Sequence, residues 1–329
     1  MATAMGARDL FRMVRHSLDV RSVHAHAHRP FRFLLCGDPS LVTELRGLLL
    51  SGPSDEPLPA DAASCLETIF PHTFAANGAT DVRAVIFLGR RGDSPNLEPL
   101  QALRVPIFAV TVDADGPVSG PPSLPAPGGV GEYGVPALTR EALRNRLFTH
   151  LVESARGVEI AVGRRLPPLR ESVAAKLTRD AANNALKVAV ASAVVDHVPV
   201  LGVVLGAVAS AGDMVAITGI QTMLMLHVEA AYGRDPDVQR IWQLLPVIGG
   251  GFGWRTLARE LVGFVPVAGI AIKGAIAYAG TIVVGEGVTF FMEHGTHMSK
   301  GQAAQIYERT KNDTLRFARD FVSKIRNKE

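Results

Sequence analysis

Short apolar runs bounded by turn residues alternate with helical periodicity over the first half of the chain. Phe31–Cys36 (FRFLLC), residues 82–89 (VRAVIFLG) and 105–112 (VPIFAVTV) are near-continuous apolar runs, the pattern of strands covered on both faces. Between them, residues 41–50 and 97–103 read as helices, and 139–155 (TREALRNRLFTHLVESA) reads as a closing helix. Strands separated by helical crossovers imply a parallel sheet. The Pro/Gly-rich stretch 116–132 (GPVSGPPSLPAPGGVGE) reads as a loop without regular structure.

Before this block, residues 8–23 place Leu10, Phe11, Val14 and Leu18 on one helical face with arginines opposite. That face fits either a helix docked on the next domain or a basic amphipathic helix on an anionic lipid surface. His24, His26 and His28 alternate in HAHAH. They would share one face of a strand and could ligate a metal there, but no carboxylate or cysteine close in sequence completes a site, and a solvated linker is the simpler reading.

From residue 156 no strand is required. VPVLGVVLGAVASAGDMVAI from Val198 and VPVAGIAIKGAIAYAGTIVV from Val265 are copies of one pattern, and LPVIGGG from Leu245 is a partial third. Each copy is a Pro-Gly elbow followed by an Ala/Gly/Val/Ile helix, and a proline fits a helix's first turn because no hydrogen-bond donor is lost there. The expected organisation is a basic helix and linker over 1–29, an α/β domain over 30–155 and an all-α domain of repeated helical hairpins over 156–329.

The chain has 329 residues, 47% hydrophobic, 20% charged and 6% aromatic, with a formal charge of +3. Mean hydropathy is +0.20 and the pI is near 9.0. The excess of charge is too small to argue for nucleic acid. It is concentrated at the ends: residues 1–32 carry six arginines against two aspartates, and 298–329 carry eight basic against four acidic residues. Cys36 and Cys65 suggest no disulfide framework, so a reducing compartment is expected. No secretory signal peptide is read at the start.

Two apolar stretches, 198–228 and 261–285, are long enough to cross a bilayer, with Asp213 and Lys273 as their charges. Asp196 and His197 could handle a proton as a pair, but Asp196 before Pro199, like Asp213 after Gly212, more simply caps a helix. Lys273 could snorkel to an interface or pair with Asp213. Both basic flanks on one side would fit an even number of crossings or re-entrant hairpins.

The strand–turn–helix at 31–50 is laid out like a phosphate-binding loop. Such a loop needs GxxxxGK[ST], whose amides wrap the phosphates and whose lysine and hydroxyl serve the terminal phosphate and magnesium. Counted from Gly37, those three positions hold Val42, Thr43 and Glu44. Hydrolysis of ATP or GTP is therefore not expected, and Gly37, Asp38 and Ser40 are candidates for a vestigial anion-binding turn. Nor does TVDAD (111–115) offer a guanine-reading NKxD, because Val112 and Asp113 stand where Asn and Lys belong. No GxSxG or HExxH occurs, and neither a metal nor a cofactor is called for.

The helical half carries VPVLG, EAAYGRDP, RTLARELVGFVPVAG and AYAGTIVVGEGVTFFMEHG. In these it resembles the YcjF-like family of unknown function, whose helical domain is often fused to Era-like GTPase domains and is described as membrane-associated. The resemblance covers about 155–325 and rests on Tyr232-Gly233, the elbows Pro199-Gly202 and Pro266-Gly269, and the glycines Gly280 and Gly285. It implies a degenerate GTPase-like partner domain at 30–155 and a cytoplasmic-membrane setting, peripheral or integral. The expected function is a non-enzymatic membrane-associated scaffold or regulator with an unidentified protein partner and a capacity to homo-oligomerise. The alternative is a soluble cytoplasmic module that senses an anion at the Gly37 turn and uses its helical half as an oligomerisation core.

Overall fold

The computed structural model describes residues 18–53, 57–70, 80–93, 96–112, 118–195, 204–237, 266–299 and 301–312. The expected amphipathic helix at 8–23 lies mostly outside them, as do Pro199 and Gly202. The chain divides into two compact units. One is His24–Lys176 with Ala230–Arg234; the other is Met1–Val23, Leu177–Glu229 and Asp235–Glu329.

α1 (Val20–Ala27), whose second half begins the first unit, leads to β1 (Arg32–Gly37), α2 (Pro39–Leu49), β2 (Leu66–Thr68), β3 (Val82–Arg90), α3 (Glu98–Gln101), β4 (Ile107–Val112) and β5 (Val130–Val135). The strands form one sheet, ordered β2-β1-β3-β4-β5, with every pairing parallel. That is an α/β sheet as the apolar runs require, because parallel strands bury both faces. Phe33, Leu34, Leu35, Ile86, Leu88, Phe108 and Tyr133 are fully enclosed. Helices α4 (Arg140–Leu143) and α5 (Thr149–Ser154) flank a wide π turn at Arg144–Phe148, and α6 (Glu159–Arg165) follows.

Three details depart from the sequence reading. The HAHAH run closes a helix and is not a strand or linker: His24 and His28 fall one turn apart, and their rings meet at a tilt with centroids 4.3 Å apart. Residues 130–132, placed in a structureless loop, begin the edge strand β5. Third, the α/β unit does not stop at 155. Arg165 donates to Asp61 (Nε to Oδ2, 2.7 Å) and to the carbonyl of Arg29 (3.1 Å), and Lys176 pairs with Glu159 at 3.2 Å, so 156–176 belong to its packing.

The second unit is helical, as expected. It holds most of α7 (Arg170–Val195), α8 (Val204–Ala231) and α9 (Pro266–His294), with a further helical stretch at 301–312. Pro266 is the first residue of α9, a position that needs no backbone donor, and Gly269 lies in the same helix. The packing of α7 on α9 depends on missing side chains. A Cβ on Gly285 would stand 2.1 Å from Thr178 Oγ1 and 2.7 Å from Thr178 Cβ, and one on Gly274 would stand 2.6 Å from Leu186. Ala185, Ala189 and Ala277 form a core with Ile217 and Ile220 packed against it. Gln221 donates to the hydroxyl of fully buried Thr281 at 3.2 Å.

Candidate functional site

In this strand order the chain reverses direction across the sheet between β1 and β3. Open α/β sheets bind ligands at such a switch point, outside the carboxyl ends of the strands. Here that crevice is formed by Gly37-Asp38-Pro39-Ser40 after β1 and by Arg90 to Asp93 after β3. Strand register brings them together, since Gly37 pairs with Leu88. Gly37 has φ +114°, and a Cβ there would lie 2.0 Å from the carbonyl oxygen of Leu88, so only glycine fits. The Asp38 amide donates to the same carbonyl at 2.8 Å.

The amides at the start of α2 are already engaged. The Asp38 carboxylate caps the helix, accepting from the Ser40 amide (2.8 Å), the Leu41 amide (3.2 Å) and the Ser40 hydroxyl. Arg90 reaches over from β3, with Nε 3.5 Å from Asp38 Oδ2 and a guanidinium NH2 donating to Ser40 Oγ at 3.3 Å. Arg90's own amide donates to Asp93 at 2.7 Å, which closes the second loop at Gly92 (φ +96°). The Ser40 hydroxyl, then the Leu41 and Ser40 amides and Arg90, hold Asp38 below the ordinary carboxylate range. The turn therefore carries its own anion where a phosphate would sit, and Arg90 already pairs with that anion. Gly37, Asp38 and Ser40 are brought together as a turn. Arg90, their fourth member, is not among the residues read from sequence; its signal was its place at the end of the strand that pairs with β1.

A second buried polar pair lies at the other side of the sheet. Tyr133 on β5 and His150 on α5 meet through Tyr133 Oη and His150 Nδ1 at 2.7 Å, with Phe108 edge-on to the tyrosine ring. Burial holds the His150 imidazole below its ordinary value and is opposed by nearby Glu153. The pair lies beneath the Pro/Gly loop, with Gly120 and Gly131 against the tyrosine ring and Arg146 donating to the carbonyls of Gly120 and Pro121. It fastens the edge strand.

Tyr232 and Gly233 end α8. Gly233 takes φ +85° and its amide donates to the Ala230 carbonyl at 3.1 Å, closing the helix as a left-handed glycine does. Arg164 donates to the Gly233 carbonyl at 3.2 Å, and the Arg170 guanidinium lies 5.6 Å from the centroid of the Tyr232 ring. These residues anchor a helix end. Among the described residues, no group of three or more His, Cys, Asp or Glu side chains is placed to hold a metal ion. Cys36 and Cys65 are free and buried, and burial pushes their thiols up to about 12 and about 11.

Comparison with family models, curated proteins and solved structures returned no match, so the YcjF-like resemblance stands on the sequence motifs alone.

Proposed function

We propose that the chain is a non-enzymatic, membrane-associated scaffold. Its α/β domain keeps the layout of a nucleotide-binding domain without the chemistry, and its helical domain of YcjF-like character supplies the attachment. The observation that carries this reading is the distribution of apolar surface on α9. Gly274–His294 is 21 residues long with a mean hydropathy of 1.5 in its most apolar window, and 39% of that window is buried in protein; it is the one described helix long and apolar enough to cross a membrane. Over 275–283 the fully or nearly buried residues are Ala275, Ala277, Ala279 and Thr281, whereas Ile276, Tyr278, Ile282 and Val283 stay partly exposed. Val284 and Val288 are buried too, but Gly274, Gly285 and the alanines at the helix contacts, with a Gln221–Thr281 hydrogen bond beside them, give the small-residue packing that suits helices in an apolar environment.

The self-capped turn supports the non-enzymatic half of the reading. A phosphate at α2 would have to displace Asp38 and break its contact with Arg90, with no lysine to repay either loss.

Fractionation of the full-length chain tests the reading. Recovery in the membrane pellet, with release by detergent, is the expected result. A monodisperse, detergent-free monomer in the soluble fraction would overturn it.

A further inference from the structure

We propose that His24 and His28 form a binding site for one divalent transition-metal ion, with Zn2+ as its simplest occupant. The chain offers three alternating histidines, and a strand would place all three on one face. The helix sorts them differently. His24 lies in α1 and His28 in the turn that closes it, one turn apart, whereas His26 falls on the opposite side of the helix. Histidines one turn apart share a face, the spacing by which helical metal sites take two ligands from one element. Here the two rings lie with centroids 4.3 Å apart, and both residues are exposed.

The hydrogen bonding of His28 suits a ligand. Its Nδ1 lies 2.9 Å from the carbonyl oxygen of His24. A carbonyl only accepts, so Nδ1 carries the proton, and in the neutral ring the lone pair is on Nε2. Ligating histidines have this arrangement, with the second ring nitrogen donating to a carbonyl or carboxylate. The backbone beneath the pair is also held. Ala27 is buried, and the buried Arg165 donates to the carbonyls of His28 (3.4 Å) and Arg29 (3.1 Å). A fixed backbone lowers the ordering cost of bringing two side chains to one ion. Asp61, which accepts from Arg165 at 2.7 Å, lies within Coulombic reach of His28 and sets a carboxylate near the pair.

The donors select the class of ion. Imidazole suits zinc, copper and nickel, whereas magnesium and calcium take oxygen ligands. Among the described residues no third His, Cys, Asp or Glu joins the pair. Water therefore fills the remaining positions, and the site is open as catalytic zinc sites are, not closed as structural ones are. An ion held by both rings clamps the last turn of α1 and adds to the stability of the folded chain.

The test titrates zinc chloride into the full-length chain by calorimetry. The variants are His24→Ala, His28→Ala, His26→Ala and the double variant His24→Ala/His28→Ala, whose remaining histidines set the background. His24 and His28 are exposed, so alanine leaves the fold intact, which the helical signal checks. The expected result is one Zn2+ per chain above that background. Affinity falls roughly tenfold or more in each of His24→Ala and His28→Ala, since even the outer partners of a metal ligand are worth 10–100-fold, and His26→Ala leaves it unchanged. Excess zinc raises the melting temperature of the wild type and not of the double variant, and magnesium raises neither. A wild type that takes up no more zinc than the double variant would overturn the site. So would binding that needs only one of the two histidines, which is an adventitious ion only, or a loss in His26→Ala as large as in His24→Ala.

Discussion

Gly285→Ala probes the contact that holds α7 to α9. Alanine in place of glycine within an open helix gains roughly 0.8–1.0 kcal/mol. At Gly285 the new carbon would stand 2.1 Å from Thr178 Oγ1, 2.4 Å from Cγ2 and 2.7 Å from Cβ. A different Thr178 rotamer can move the first two atoms but not the third, which is fixed to the backbone, so the helices must separate. Overpacking of a close interior contact costs roughly 1–3 kcal/mol. The opposing terms leave a net loss of about 1–2 kcal/mol at the upper part of that range. Denaturant unfolding of the full chain, followed by its helical signal, measures the difference. Gly47→Ala in α2 is the control, since a Cβ there meets nothing within 4 Å, and it should stabilise by about 0.5–1 kcal/mol. Combining Gly285→Ala with Thr178→Gly returns room to the contact, so the pair should be less destabilised than the two single changes summed. If Gly285→Ala stabilises as much as Gly47→Ala does, the close approach of α7 and α9 is refuted.

Other outcomes follow from the α/β unit. Because His150 has its folded value lowered by burial, the unfolded chain binds its proton first; the contribution is complete above about 6.5 and is lost as pH falls from there through the folded value. Stability should thus decline as pH falls below about 6.5, and His150→Asn should flatten that decline. Asp61 and Asp81 are held low chiefly by hydrogen bonds from Arg165 and Arg32, so their contributions are complete above the ordinary aspartate value and disappear as pH drops below it. Acid unfolding should therefore shift to higher pH in Arg32→Gln. Cys36 and Cys65 should resist thiol reagents in the folded chain and react fully once it is unfolded. Millimolar ATP or GTP with magnesium should leave the melting temperature unchanged, and a rise of several degrees would show that the Asp38 cap yields to phosphate.

The sequence carried the sheet where burial is two-sided. β1, β3 and β4 are apolar runs because both faces are covered, and their spacing implied parallel crossovers. β2 has three residues, too few for a pattern. β5 was hidden by its glycines. A Cβ on Gly131 would stand 2.5 Å from the ring of Pro125, so this glycine marks a loop lying on an edge strand, which in sequence looks the same as a loop alone. At the switch point, the missing lysine and hydroxyl were legible, and Asp38 before Pro39 is an ordinary start to a helix. What fills the turn was not, because Arg90 arrives from a strand fifty residues away. In the helical half, composition showed that α8 and α9 are apolar, but not which residues face inward. The close contacts at Gly274 and Gly285, and the charged face of α7 beside α9, exist only once the helices are paired.

The most direct measurement of the central claim is co-flotation with phosphatidylserine-containing vesicles of the wild type and of a variant carrying Ile276→Ser, Ile282→Ser and Phe290→Ser, all three on the partly exposed side of α9. The account predicts that the wild type floats and that the variant, with its helical signal intact, stays at the bottom of the gradient. A variant that floats as well as the wild type, or a wild type that stays below as a soluble monomer, would contradict it.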